Sequence, residues 1–180
     1  KNKVSNFFWD YSNSPLRSDK NDVLICKKCK FWVMTTAGIS WVPQMFGKSG
    51  VAVNLIPFTP ELLWNYPKGT VVLPKKMFNK SGNPLSLEEI ALQDKVNHDE
   101  IIYTKKYFKK LGLTFEDNSE EEIYDAVKYY YEVHVSRTKK INYMEQFNFW
   151  NNIYPEFSYE ISNRIIISPL FLKKYSRMLD

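Results

Sequence analysis

The sequence predicts an α/β domain built on a parallel β-sheet. Three short apolar segments rich in strand-forming residues, at 31–34, 51–56 and 70–73, are separated by turns and helical stretches. Strands that alternate with helices over short connections are typical of βαβ units, whose strands run parallel. A chain of 180 residues suffices for one domain with its own hydrophobic core, without a disulfide or a structural metal.

The first half of the chain carries the elements of this sheet. Residues 4–9 form a strand or a lead-in, 11–21 a polar loop, and Asp19 or Asp22 caps a helix that ends near Cys29. A turn at 35–38 joins the first buried strand to a helix over 39–46, which Gly47 ends. Residues 57–68, with three prolines, form a loop or a short helical turn before the third strand.

The second half is predicted to be mostly helical. Residues 86–89 and 119–122 spell capping boxes, in which serine and a glutamate three residues later satisfy the first helical N–H groups. Segments 100–110 and 140–152 have helical character, and Ser168-Pro169 begins a final helix to about residue 179. We therefore divide the domain into a core, 1–80, and its helical completion, 81–180.

The charge pattern argues against nucleic-acid binding. The net charge is +5, but the lysines form scattered pairs, whereas nucleic-acid binders more often concentrate them in one stripe. A mildly basic, solvated surface explains the pattern; affinity for anionic membranes or phosphorylated substrates is the alternative. No apolar run is long enough to cross a membrane, and no signal-peptide pattern is present. Because the chain begins with lysine and not methionine, we expect it to be the C-terminal part of a longer protein.

The cysteines and histidines indicate neither a zinc site nor a nucleophilic catalytic centre. Cys26 and Cys29 are the two cysteines, and His98 and His134 are too far apart to complete a metal site with them. We expect the thiols to be buried on a helix face. Two cysteines also cannot build a disulfide framework, which favours a reducing compartment.

The strongest candidate for a binding site is the turn 35–40, between a buried strand and a helix. Ligands of open α/β sheets bind at the carboxyl ends of the strands, where a helix N-terminus offers free N–H groups to a phosphate. Gly38 permits close approach, and Thr35, Thr36 and Ser40 add hydroxyl groups. The alternative is structural, since threonine and serine cap helices and glycine forms turns. The turn has neither a dinucleotide-binding nor a P-loop motif.

Two further residues are weaker candidates. Arg17 lies in a polar loop that would reach the same edge if a strand preceded it, and a guanidinium there could clamp a diphosphate. Glu61 follows the second strand and could accept hydrogen bonds from ribose hydroxyls. Exposed surface charge is the alternative for each.

The stretch SDKNDVLICKKCKFWVMTTAGISWVP at 18–43 resembles the C-terminal half of GT-B glycosyltransferases. More narrowly, it is similar to a family of bacterial surface-polysaccharide glycosyltransferases distantly related to the heptosyltransferases. The strand and proline at 51–57, the segment DNSEEEI at 117–123 and the tail at 164–179 extend the resemblance over most of the chain in patches.

This resemblance implies a Rossmann-like, three-layer domain that binds a nucleotide-sugar donor, with the diphosphate on Thr36, Gly38 and Ser40. It implies no essential metal and no cofactor besides the donor substrate. The acceptor would be a glycan or a lipid-linked sugar, and its binding site and the catalytic base would lie in an N-terminal half or partner subunit. Transfer would take place in the cytoplasm, at the inner face of the membrane. The turn departs from heptosyltransferases because it lacks their acidic residue, so a heptose donor is not expected.

Two other functions fit the same sequence. A non-catalytic module would bind a phosphorylated ligand and transfer nothing even with the other half present. A structural subunit would use its aromatic helices as an interface and would have no nucleotide affinity.

Overall fold

A computed structural model describes residues 8–56, 58–96, 108–109 and 111–176. Its strands are β1 (Trp32–Met34), β2 (Gly50–Leu55), β3 (Thr70–Pro74), β4 (Lys76–Phe78), β5 (Thr114–Glu116) and β6 (Ile165–Ile167). Its α-helices are α1 (Asp19–Lys28), α2 (Trp41–Met45), α3 (Pro60–Leu63), α4 (Leu87–Val96), α5 (Glu120–Tyr130), α6 (Tyr143–Ile153), α7 (Ser158–Ser162) and α8 (Pro169–Tyr175).

The main sheet is four-stranded and parallel, in the order β1-β2-β3-β6. This confirms the α/β class and the parallel sheet. Side chains of β2, β3 and β6 are almost all buried, as continuous apolar strands require in a parallel sheet. The prediction missed β6, which the second half of the chain contributes beside β3. It also missed the antiparallel pair β4–β5, which follows β3 directly.

Most helix predictions are confirmed, with corrected boundaries. Both capping boxes form, Ser86 with Glu89 and Ser119 with Glu122. The side chain of Ser18, not that of Asp19 or Asp22, caps α1 by accepting from the Asn21 N–H. The parts of the predictions at 4–7, 100–107, 110 and 177–179, and His98, lie outside the described residues. No described helix is long and apolar enough to span a bilayer.

The carboxyl ends of β2 and β3 are joined by two asparagines. Asn54 has φ of 53°, a left-handed conformation that asparagine tolerates better than most residues, and the β2–β3 register shifts there. Asn54 and Asn118 each donate a backbone N–H to the other's side-chain oxygen, at 2.6 Å. The Asn118 amide also donates to the Pro74 carbonyl at 2.9 Å. The segment before α5 thus closes the ends of two strands.

Substitution of Asn118 by alanine should destabilise the domain by about 2–4 kcal/mol, because the Asn54 N–H and the Pro74 carbonyl lose their partner inside the protein. Asn148→Ala, on the exposed face of α6, is the matched control and should stay within about 0.5 kcal/mol of wild type. Urea unfolding followed by circular dichroism measures both. Equal stability of the two variants would show that the asparagine bridge contributes little.

Candidate functional site

The turn predicted to bind phosphate lies at the carboxyl end of β1. Residues 35–39 are exposed, Gly38–Ser40 form one 3-10 turn, and α2 follows. A Cβ added at Gly38 would meet no protein atom within 4 Å, so the space beside this glycine is open. The α-helix, Trp41–Met45, is shorter than the predicted 39–46, so its dipole is smaller than a long helix would supply. Gly47 ends it with φ of 69°, as expected.

The Ser40 hydroxyl belongs to the framework of the turn. Ser40 is 2% exposed, and its Oγ donates to the Ala37 carbonyl at 2.5 Å. Its own carbonyl accepts from the buried Gln44 amide at 2.8 Å. Thr35 and Thr36 are exposed, so of the three predicted hydroxyl residues these two are accessible from solvent.

Tyr66 supports the turn from below, a role that the sequence did not reveal. Its ring is buried and lies 6.0 Å from the Trp32 ring and 6.3 Å, nearly parallel, from the Trp41 ring. Burial raises the pKa of the Tyr66 hydroxyl, and a hydrogen bond with the Thr36 side chain opposes that rise. The turn therefore packs on three aromatic rings, Trp32 of β1, Trp41 of α2 and Tyr66 from the connection between α3 and β3.

Arg17 lies just before α1 and is exposed. A 3-10 turn, Tyr11–Asn13, precedes it instead of the strand that its predicted placement required. A contact between the two neighbouring helices indicates at which edge of the sheet Arg17 lies. The Lys27 ammonium, near the end of α1, lies 5.6 Å from the centre of the Phe46 ring, just past the end of α2. The two helices therefore end at the same edge of the sheet, and both begin at the opposite edge. Because α2 begins at the carboxyl edge, Arg17 lies towards that edge too. The Glu61 side chain lies outside the described part of the structure.

A cavity of about 630 Å³ opens at the same edge. Ile56 follows β2 and Lys75 follows β3, and both line it. The remaining lining is mostly apolar: Phe108, Lys109, Leu113, Thr114 and Phe115. Lys75 forms an ion pair with Asp117 at 2.6 Å. Neighbouring strands are about 5 Å apart, so the cavity lies roughly one strand from the turn that ends β1.

The same edge holds a buried carboxylate surrounded by cations. Glu122, 8% exposed, accepts from the Tyr175 hydroxyl at 2.5 Å and from the Lys174 ammonium at 2.9 Å. Lys76 lies 3.8 Å away. Burial by itself would raise the pKa of Glu122, but the hydrogen bonds from Tyr175, the Ser119 backbone and Lys174 outweigh it, and the net pKa is lowered. Glu122 therefore stays ionised and joins α5 to α8.

The two cysteines are free thiols. Cys26 is buried, as expected, whereas Cys29 is partly exposed just past the end of α1. Burial is the main cause that raises the pKa of both, which disfavours the reactive thiolate. Among the described residues there is no group of three or more residues suited to hold a metal ion.

Comparison of the chain with protein-family models, with curated proteins and with solved structures found no match. A functional proposal therefore rests on the residues themselves.

Glu122→Gln should lower stability at neutral pH by about 1.5–3 kcal/mol, the range for hydrogen bonds to charged groups. The native pKa lies below the unfolded one, so the carboxylate stabilises the fold above about pH 4.5, and this stabilisation disappears as pH falls through the native pKa. The gap between wild type and variant should narrow accordingly in urea titrations from pH 7 to pH 3.

The neighbouring Glu121→Gln is the control for that measurement, because Glu121 is exposed. Its variant should follow the wild-type profile. A gap for Glu122→Gln that stays constant with pH would show that shape, rather than charge, explains the loss.

Proposed function

We propose that this chain is the donor-binding part of a metal-independent GT-B glycosyltransferase, of Rossmann-like architecture, that acts in surface-polysaccharide or glycolipid synthesis. One observation carries the proposal. An open glycine turn with exposed hydroxyls and a largely apolar cavity with lysines lie at the same carboxyl edge of a parallel sheet. Open α/β sheets bind ligands at this edge.

The diphosphate and the nucleoside of a nucleotide-sugar would each meet matching chemistry. The first N–H groups of the Gly38–Ser40 turn have no partner within the turn and suit a diphosphate. In this proposal Thr35, Thr36 and Arg17 would contact the diphosphate as well. The cavity offers Phe108 and Phe115 to the nucleoside and an ammonium group from Lys75 or Lys109 to its polar edge.

The donor's bond to the diphosphate breaks during transfer, so negative charge grows on the leaving group. Backbone N–H groups and cationic side chains at the turn would stabilise that charge, which is how such a site works without a metal. The attacking acceptor hydroxyl and the base that takes its proton would come from an N-terminal half or partner subunit. This chain alone should therefore bind the donor without transferring sugar.

Gly38→Val should abolish donor binding, because its side chain would occupy the open space that a phosphate needs. The variant should fold, since a Cβ there meets nothing within 4 Å. Thermal-shift titrations with UDP, GDP, ADP and CMP, each with and without EDTA, measure binding through the stabilisation that a ligand gives the native state. We expect one nucleotide to raise the melting temperature of wild type, equally with EDTA.

Tyr159→Val is the control, because Tyr159 is exposed on α7, which leads into the opposite end of β6. It should respond like wild type. An equal shift for folded Gly38→Val would place the diphosphate elsewhere, and a shift lost with EDTA would contradict metal independence. No shift with any nucleotide would favour the structural alternative.

A second candidate function is association with another polypeptide beside β1, as the missing half or partner subunit would require. Exposed apolar side chains are concentrated on this side of the sheet: on α1, Val23, Leu24 and Ile25; on β1, Val33; and around α2, Ile39, Trp41, Met45 and Phe46. Exposed apolar residues grouped in one region of a protein often mark an interaction site. Because β1 is the edge strand among the described strands, a further strand could pair with it.

The double substitution Leu24→Lys and Val33→Lys should reduce concentration-dependent self-association of the isolated chain, measured by sedimentation velocity. Both side chains are exposed, so stability should change little. The matched control places lysines at the exposed residues Tyr159 and Leu170 and should sediment like wild type. A wild-type chain that stays monomeric up to the highest soluble concentration would count against an interaction surface beside β1.

A further inference from the structure

A second cavity, of about 240 Å³, lies at the opposite, amino-terminal edge of the sheet. Lys68 and Gly69 lead into β3 and Arg164 leads into β6, and the Gly69 N–H donates to the Arg164 carbonyl at 2.7 Å. This bond holds Lys68 and Arg164 side by side, at the beginnings of the neighbouring strands β3 and β6. The remaining lining residues are His134, Ile141, Tyr143, Ser162, Asn163 and Ile166.

The cavity is basic and has no acidic lining residue. Within the part of the chain that the structure describes, neither Lys68 nor Arg164 forms an ion pair. Arg164 donates one N–H to the Tyr66 carbonyl at 3.4 Å, which leaves most of its five donors for another group. Two cations without a counter-charge at one concave site favour an anion.

His134 is a third basic side chain that lines the cavity. It lies on a π-helical segment, Tyr131–Val135, a rare conformation that often occurs at functional sites. Its ring packs against Gly69, where an added Cβ would lie 2.8 Å from the ring atom Cε1. The centre of the His134 ring lies 4.8 Å from the centre of the Tyr130 ring. Its Nε2 is buried without a hydrogen-bond partner. A buried polar atom without a partner is uncommon and calls for an explanation.

We propose that this cavity binds a small tetrahedral oxyanion, such as phosphate or a phosphate monoester, between Lys68, Arg164 and His134. The arginine supplies a fork of N–H donors and the lysine a point charge. The imidazole of His134, which lines the same cavity, adds a positive charge when it is protonated. This site lies at the edge of the sheet away from the proposed donor site and does not depend on it.

Protonation of His134 should couple binding to pH. Burial lowers the pKa of His134, and a hydrogen bond to the Gly69 backbone opposes this. The charged or titratable groups around it are Lys68, Tyr143 and Arg164 in the cavity and Tyr130 at its ring. Glu132, on the same π-helical segment, is paired with Lys139 at 3.7 Å. A bound anion favours the protonated ring, so binding should strengthen as pH falls.

Sulfate is the sharpest probe, because its own charge is constant over the relevant pH range. Calorimetric titration with sulfate, at ionic strength held constant with chloride, should give affinity several-fold tighter at pH 5.5 than at pH 8. The double substitution Lys68→Gln and Arg164→Gln should weaken it by about tenfold or more, the scale of losing charge-assisted hydrogen bonds. Inorganic phosphate and a sugar phosphate, compared at pH 8, distinguish a free anion from a phosphate monoester as the preferred ligand.

Arg137→Gln with Lys140→Gln removes the same charge from exposed residues that do not line the cavity, and it should bind sulfate like wild type. Gly38→Val should also leave sulfate binding unchanged, which separates this site from the proposed donor site. Proton NMR of the imidazoles gives a direct readout, since His134→Gln identifies the His134 signals, and these should move on addition of sulfate. Equal loss in the two double variants, or unmoved His134 signals, would overturn the proposal.

Discussion

The reciprocal hydrogen bonds between Asn54 and Asn118 determine how the carboxyl edge of the sheet is built. At Asn54 the strand β2 leaves regular β geometry, with φ of 53°, and its N–H needs a new acceptor. Asn118 supplies that acceptor and, through its amide, also satisfies the end of β3. Because Ser119 and Glu122 then begin α5 immediately, the position of this helix follows from the ends of two strands. Glu122 in turn accepts from Lys174 and Tyr175 of the last helix. Residues more than a hundred positions apart therefore meet at one edge.

The strand β1 depends on a different contact. Gly50 lets β1 approach β2 closely, since a Cβ there would lie 2.2 Å from the Trp32 carbonyl and 2.6 Å from its ring. The Trp32 ring also donates its N–H to the Lys48 carbonyl at 2.6 Å and packs near Tyr66. Tyr66 then reaches Thr36. The turn after β1 is thus held from the side by Gly50 and Trp32 and from beneath by Tyr66, while its own outer surface stays open.

Local patterns in the sequence predicted what local forces determine. Both capping boxes and the glycine at the end of α2 depend on contacts within a few residues. An apolar run in the sequence marks each of three strands, at 32–34, 50–55 and 70–74. The fourth strand was missed because a run of three isoleucines fits a buried helix segment as well as a strand, and only its pairing with β3 decides. The hydrogen bond of Thr36 with Tyr66 and the cavity beyond β2 and β3 join segments distant in sequence, so no short pattern encodes them. The exposure of Val23, Leu24 and Ile25 was also unpredictable, since an apolar stretch does not reveal what covers it.

The two proposals for the carboxyl edge and the apolar face meet at β1. This strand has three residues and is paired on one side with β2, and it carries the turn proposed to hold the diphosphate. A short edge strand is ordered less firmly than a central one, so a segment that paired with its other side would restrict the turn to fewer conformations. A turn already restricted loses less conformational entropy when it binds a phosphate. Association and donor binding would therefore strengthen each other, and thermodynamic linkage requires the effect to be equal in both directions.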